Sequence, residues 1–78
     1  MSATATRIQS PEQLGRAIRA RRRELHLTQQ TVADLTGINR VVVIQLEHGK
    51  STVQLRIVLL IVQVLGMDIE LRARGEMA

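Results

Sequence analysis

From residue 10 onward the apolar positions fall into four blocks with helical spacing and one that alternates. Leu14, Ala17, Ile18 and Leu25 recur at the spacing that lines one face of a helix, and predict a first helix over residues 11–25. Ser10-Pro11-Glu12-Gln13 opens it. Serine caps, proline takes the first helical position where its missing N–H does no harm, and Gln13 can complete a capping box. Val32, Ala33 and Leu35 mark inward positions of a second helix over residues 29–36, capped by Thr28 and ended by Gly37. Ile38 then points to the core. Asn39 caps a third helix that runs to His48, with Val43 inward and Gly49 as its stop. A fourth helix is predicted from Ser51 or Thr52 to Leu65, ended by Gly66; only Gln54, Arg56 and Gln63 interrupt its apolar surface. Beyond it, Met67-Asp68-Ile69-Glu70-Leu71-Arg72-Ala73 alternates apolar with charged, the period of a strand.

Two of these blocks exceed what one small subunit can satisfy. A helix apolar nearly all round cannot be covered by the interior of a 78-residue chain, so part of it should meet a second molecule. A lone strand leaves its backbone groups unpaired, and no second strand is available within the chain. Pairing with the same strand of a twin subunit is the economical answer. The expected dimer surface is Ile57, Leu60, Ile61 and Val64 of the helix with Ile69 and Leu71 of the strand. The predicted organisation is a tail over 1–9, one domain over 10–66, a dimerisation strand over 67–74 and a short tail over 75–78.

Composition narrows the chemistry. Eleven basic residues against seven acidic ones give a net charge of +4, and all but Lys50 of the basic residues are arginine. Arginine matches phosphates and guanine edges through two parallel hydrogen bonds. The chain has no Phe, Trp or Tyr, which disfavours reading of single strands by base stacking but not reading of a duplex. It has no cysteine, which excludes disulfides, Cys-based zinc sites and thiol catalysis and suits a reducing cytoplasm. Neither a membrane-spanning run nor the apolar stretch of a signal peptide is present, and no membrane partner is expected. His26 and His48 lack a carboxylate cluster at ligand spacing, so neither a metal nor a cofactor is expected. Asp34, Glu24 and Ser51 form no catalytic set with them, and an enzyme is not expected.

The candidate chemistry lies in Leu27–Arg40, continued by Leu46-Glu47-His48-Gly49-Lys50. Two short capped helices joined by a glycine turn form a unit that can present its second helix to the DNA major groove. On that helix Arg40 suits guanine and Gln45 suits adenine, a reading favoured here over that of two solvated polar residues on an amphipathic helix.

These residues resemble the helix-turn-helix family of phage repressors, Cro proteins and Xre-type regulators, through Leu27-Thr28-Gln29-Gln30, Val32-Ala33, Gly37-Ile38 and Leu46-Glu47-x-Gly49-Lys50. The finer resemblance is to HipB-like antitoxins, through Gly49-Lys50-Ser51-Thr52-Val53-Gln54-Leu55, Val62-Gln63-Val64-Leu65-Gly66-Met67 and Ile69-Glu70-Leu71-Arg72. It covers residues 12–74. The resemblance implies an all-α, compact four- to five-helix lambda-repressor-like domain with a short C-terminal β-strand paired across a dimer. It implies base contacts from Arg40, Val41, Ile44 and Gln45, phosphate contacts from Gln29, Asn39 and Lys50, and a structural salt bridge between Arg22 and Glu47. It also implies a cytoplasmic homodimeric repressor of a toxin–antitoxin operon, bound to double-stranded operator DNA and to a HipA-like serine/threonine kinase toxin.

The chain departs from the family where specificity is set. The outward side of such a helix is normally polar, yet here it reads Arg40-Val41-Val42-Val43-Ile44-Gln45. Val41, Val42 and Ile44 can touch thymine methyls, or can form an apolar surface for a protein partner with little reading of DNA. Arg56, Ile57 and Leu60 also replace one acidic and two polar residues of the usual pattern.

Overall fold

The computed structural model describes residues 5–75; the outer parts of both expected tails, 1–4 and 76–78, lie outside the described residues. Its helices are α1 (Pro11–Glu24), α2 (Gln29–Thr36), α3 (Arg40–Glu47) and α4 (Leu55–Val64). Local chemistry accounts for most of these boundaries. The Ser10 hydroxyl accepts from the N–H of Gln13 at 3.1 Å, with Pro11 in the first turn. The Gln13 side chain reaches back to the N–H of Gln9, one residue outside the cap. Thr28 caps α2 by accepting from Thr31, and Gly37 ends it with a left-handed φ of 71°. Asn39 caps α3, its side-chain oxygen accepting from the N–H of Val41 at 2.8 Å.

Several expectations are corrected. The fourth helix begins at Leu55, after Ser51 and Thr52 have formed an exposed turn and Val53 has folded onto the core. Gln54 opens it without a side-chain cap. Leu25 and Leu35 are not inward. Leu35 is 61% exposed because Val32 and Ala33 already occupy the buried side of the two-turn α2. Leu25 is turned outward where α1 ends, and the next residue, His26, adopts the left-handed φ of 58° that glycine usually supplies. That turn lets the N–H of Leu27 return to the carbonyl of Arg22.

The core joins Ile18 of α1, Val32 and Ala33 of α2, Val43 and Leu46 of α3, and Val58, Ile61, Val62 and Leu65 at α4. α3 packs on both α1 and α2, and α4 packs on α2. Ile61 has no exposed surface in the subunit, so it has nothing left to offer a dimer partner and is corrected to a core residue. Arg21 ties the last turn of α1 to the end of α4, its Nε donating to the carbonyl of Leu65 at 2.9 Å. Among the described residues there is no strand. Residues 67–74 leave the body after Gly66 with no ladder inside the subunit, Met67 half-buried and the rest exposed.

Gly15 sets the closest approach of two helices. A Cβ there would lie 2.5 Å from the carbonyl oxygen of Leu46 and 2.6 Å from that of Glu47. Helix propensity alone gives Gly→Ala a gain of about 1 kcal/mol. The clash with α3 backbone reverses the sign, and Gly15→Ala is expected to lose about 2 kcal/mol, in the range measured for overpacking. Urea denaturation at fixed protein concentration checks it; an alanine variant as stable as the parent would mean the helices separate freely.

Candidate nucleic-acid interface

The packing of α3 decides which of its residues meet solvent. Val43, Leu46 and Glu47 turn into the body. At 100° per residue this leaves Val41 and Gln45 on the opposite side, with Val42 and Ile44 at the two shoulders. Accordingly Arg40 is exposed, Val41 is 54% exposed, and Val42, Ile44 and Gln45 are half-buried. Lys50, exposed beyond the last turn, donates through Nζ to the Gln45 Oε1 at 3.4 Å. Asn39 is exposed before the first turn, its oxygen engaged in the cap. A shallow hollow of about 200 Å³ continues this face toward α4, lined by Val42, Gln45, Lys50, Thr52, Gln54 and Ile57.

A polar knot behind the face fixes α3 against both preceding helices. Arg22 donates from Nε to the Glu47 Oε2 at 2.6 Å and from Nη2 to Oε1 at 3.0 Å. Its Nη1 donates to the carbonyl of Leu27 at 2.8 Å, in the loop before α2. The amide of Gln29, first residue of α2, donates to the same Glu47 Oε1 at 3.1 Å. The Glu47 side chain is 1% exposed, so the pair works in a medium where charge pairing is strong and an unpaired charge is costly. The hydrogen bonds to Glu47 hold the Arg22 guanidinium above its already high ordinary pKa, against the opposing effect of burial. A raised pKa means the arginine's contribution is fully present through the physiological range and is lost as the pH rises into strong alkali.

The residues assigned by pattern thus divide into groups. Asn39, Arg40, Val41, Gln45 and Lys50 share one outward surface, with Ile44 at its edge. Gln29 is half-buried at the start of α2, where the first N–H groups of the helix have no partner within it. Arg22 and Glu47 lie beneath. Of the residues expected at a dimer surface, Ile57, Leu60 and Val64 are half-buried, Ile69 is exposed, and Leu71 is 98% exposed. The sequence reading missed the bonds from Gln29 to Glu47 and from Lys50 to Gln45, because both form only once the chain has folded. No group of three or more His, Asp or Glu residues among the described residues is placed to hold a metal ion. No helix among them is long and apolar enough to cross a membrane.

Comparison with known proteins bears on this arrangement. The model of the helix-turn-helix family matches residues 18–71. A protein of Sinorhizobium fredii (strain NBRC 101917 / NGR234), described as the uncharacterized HTH-type transcriptional regulator y4mF, is 38% identical over 72 residues, 92% of this chain and 95% of that one. Among solved structures, a HipB–O4 20mer complex is similar with a TM-score of 0.82 at 25% identity, covering 92% of this chain and 100% of the other. A HipA–HipB–O2–O3 complex is similar with a TM-score of 0.82 at 26% identity, covering 88% of this chain and 97% of the other.

Removing one member of the buried pair tests how α3 is held. Arg22→Met leaves the Glu47 carboxylate without its cation, and the expected cost is about 3–5 kcal/mol. Changing both residues, Arg22→Met with Glu47→Leu, should recover most of that loss in urea denaturation. A double variant no more stable than the single one would show that packing, not the ion pair, is what the arginine supplies.

Proposed function

We propose that this chain, which belongs to the Xre-type helix-turn-helix family, is a sequence-specific repressor that reads double-stranded operator DNA as a homodimer. The observation that carries this reading is the outward face of α3, bracketed by Arg40 and Lys50 and held rigidly from behind by the Arg22–Glu47–Gln29 knot. Its likeness to HipB chains bound to DNA supports it. Arg40, Val41, Ile44 and Gln45 meet base edges, while Gln29, Asn39 and Lys50 meet phosphates. A phosphate at Gln29 gains from the free N–H groups and positive end of α2. Asn39 approaches through its amide nitrogen, since its oxygen caps α3.

Residues 10–66 form the DNA-binding body and residues 67–74 the strand that pairs across the twofold axis. Ile57, Leu60 and Val64 line the same junction, and Ile69 and Leu71 extend it. Two such subunits read a palindrome whose half-sites lie on one side of the duplex. The likeness to a chain of a HipA–HipB–O2–O3 complex supports a finer role. In it the chain is a HipB-like antitoxin that acts in the cytoplasm, binds a HipA-like serine/threonine kinase toxin and represses the operon encoding both.

Gln45→Ala is expected to relax preference at one base pair by about 1–3 kcal/mol. Lys50→Ala should instead weaken all sequences alike and flatten the dependence of log Kd on log salt by about one unit of slope. Fluorescence anisotropy on operator and random duplexes separates the two; equal loss on both for Gln45→Ala would remove that residue from the reading set. Leu71→Asp should leave the fold intact and shift the chain toward monomer in analytical ultracentrifugation. An unchanged dimer would exclude the tail from the junction.

A further inference from the structure

Resting on the reading of α3 as the base-contacting helix, we infer that this chain selects one or two positions of each operator half-site through the C5-methyl groups of thymine, received by Val41 with Ile44 and Val42. The outward face has few hydrogen-bonding groups left for bases. The oxygen of Asn39 is taken by the N–H of Val41, and the oxygen of Gln45 faces the Nζ of Lys50. Gln45 then presents its amide N–H as a donor, while its oxygen is already shared with Lys50. Arg40 is the other free donor. Between them stands Val41, opposite the core side of the helix and 54% exposed, a branched side chain too stiff to turn aside.

The major groove offers such a side chain one kind of partner. Guanine, cytosine and adenine edges present donors and acceptors there, and covering them with valine leaves those groups without partners. Thymine alone presents a methyl group. Contact with Val41 therefore favours thymine and disfavours each other base. Charge complementarity commits the face to DNA. Arg40 at the first turn and Lys50 beyond the last are both exposed and give the apolar centre a positive surround, which suits a polyanionic duplex whose groove floor carries methyls.

The operator itself can be obtained by selection. A duplex selected from a randomised library with the purified full-length chain is resynthesised with each thymine replaced in turn by uracil. That change removes only the methyl and keeps the base pair and every groove hydrogen bond. At one or two positions per half-site Kd should rise about fourfold, the effect of about 0.8 kcal/mol for one buried carbon. Val41→Ala, at an exposed position, should bind the thymine and uracil duplexes at one of those positions with equal affinity. If uracil is tolerated everywhere while the selected duplex is still preferred over random DNA, hydrogen bonds do the reading: the methyl inference fails and the proposed function stands. If that tolerance is accompanied by no effect of Val41→Ala on any duplex, the apolar face belongs to a protein contact instead. If selection yields no preferred sequence, the proposed function fails, and this inference with it.

Discussion

Arg22 reaches from α1 through the middle of the domain to the carboxylate of Glu47 on α3 and the carbonyl of Leu27 before α2. Burying two charges is unfavourable unless nearly every lone pair and proton finds a partner. Here the guanidinium meets three acceptors and the carboxylate meets both Arg22 and Gln29, and no buried side-chain nitrogen or oxygen among the described residues is left without one. Such a network tolerates little displacement, because sliding α3 along α1 would break several directional bonds at once. Gly15 works in the same direction from two turns earlier on the same face of α1. Its missing side chain lets the backbone of α3 settle against the helix, so the charged pair can meet at short range.

The elements legible in the sequence are those whose cause lies within four residues. Ser10, Thr28 and Asn39 each bond to an N–H two or three positions ahead, and Gly37 turns the chain by its own backbone freedom. The start of α4 was not legible in this way. Ser51 and Thr52 have the chemistry of caps, yet Val53 is drawn onto the core and the helix can begin only after it. Leu25 and Leu35 show the same limit from the apolar side: spacing states that a residue can face inward, and only packing states whether room remains. Gly15 carried no local sign of its role, because the backbone it accommodates lies more than 30 residues away. His26 was equally silent, since a left-handed residue that is not glycine is set by the chain around it.

The surface of α3 was legible as an assortment of residues but not as an arrangement. Its departure from the usual polar pattern can be read directly from Val41, Val42 and Ile44. Which of them protrudes depends on how the helix is rotated, and that follows from Val43, Leu46 and Glu47 turning inward. The partition of the apolar α4 follows the same logic. Ile61 and Val62 are consumed by the subunit itself, whereas Leu55 at 68% exposure and the half-buried Ile57, Leu60 and Val64 are not.

The bond from Arg21 to the carbonyl of Leu65 has a mechanical consequence. It fastens the far end of α4 to α1, and α1 is in turn locked to α3. Two copies joined near that end would behave like a pair of dividers with a stiffened hinge, the distance between the points set by the legs themselves. A duplex whose grooves came at a slightly different interval would then have to twist or curve to be gripped, and its willingness to do so would become part of what is recognised.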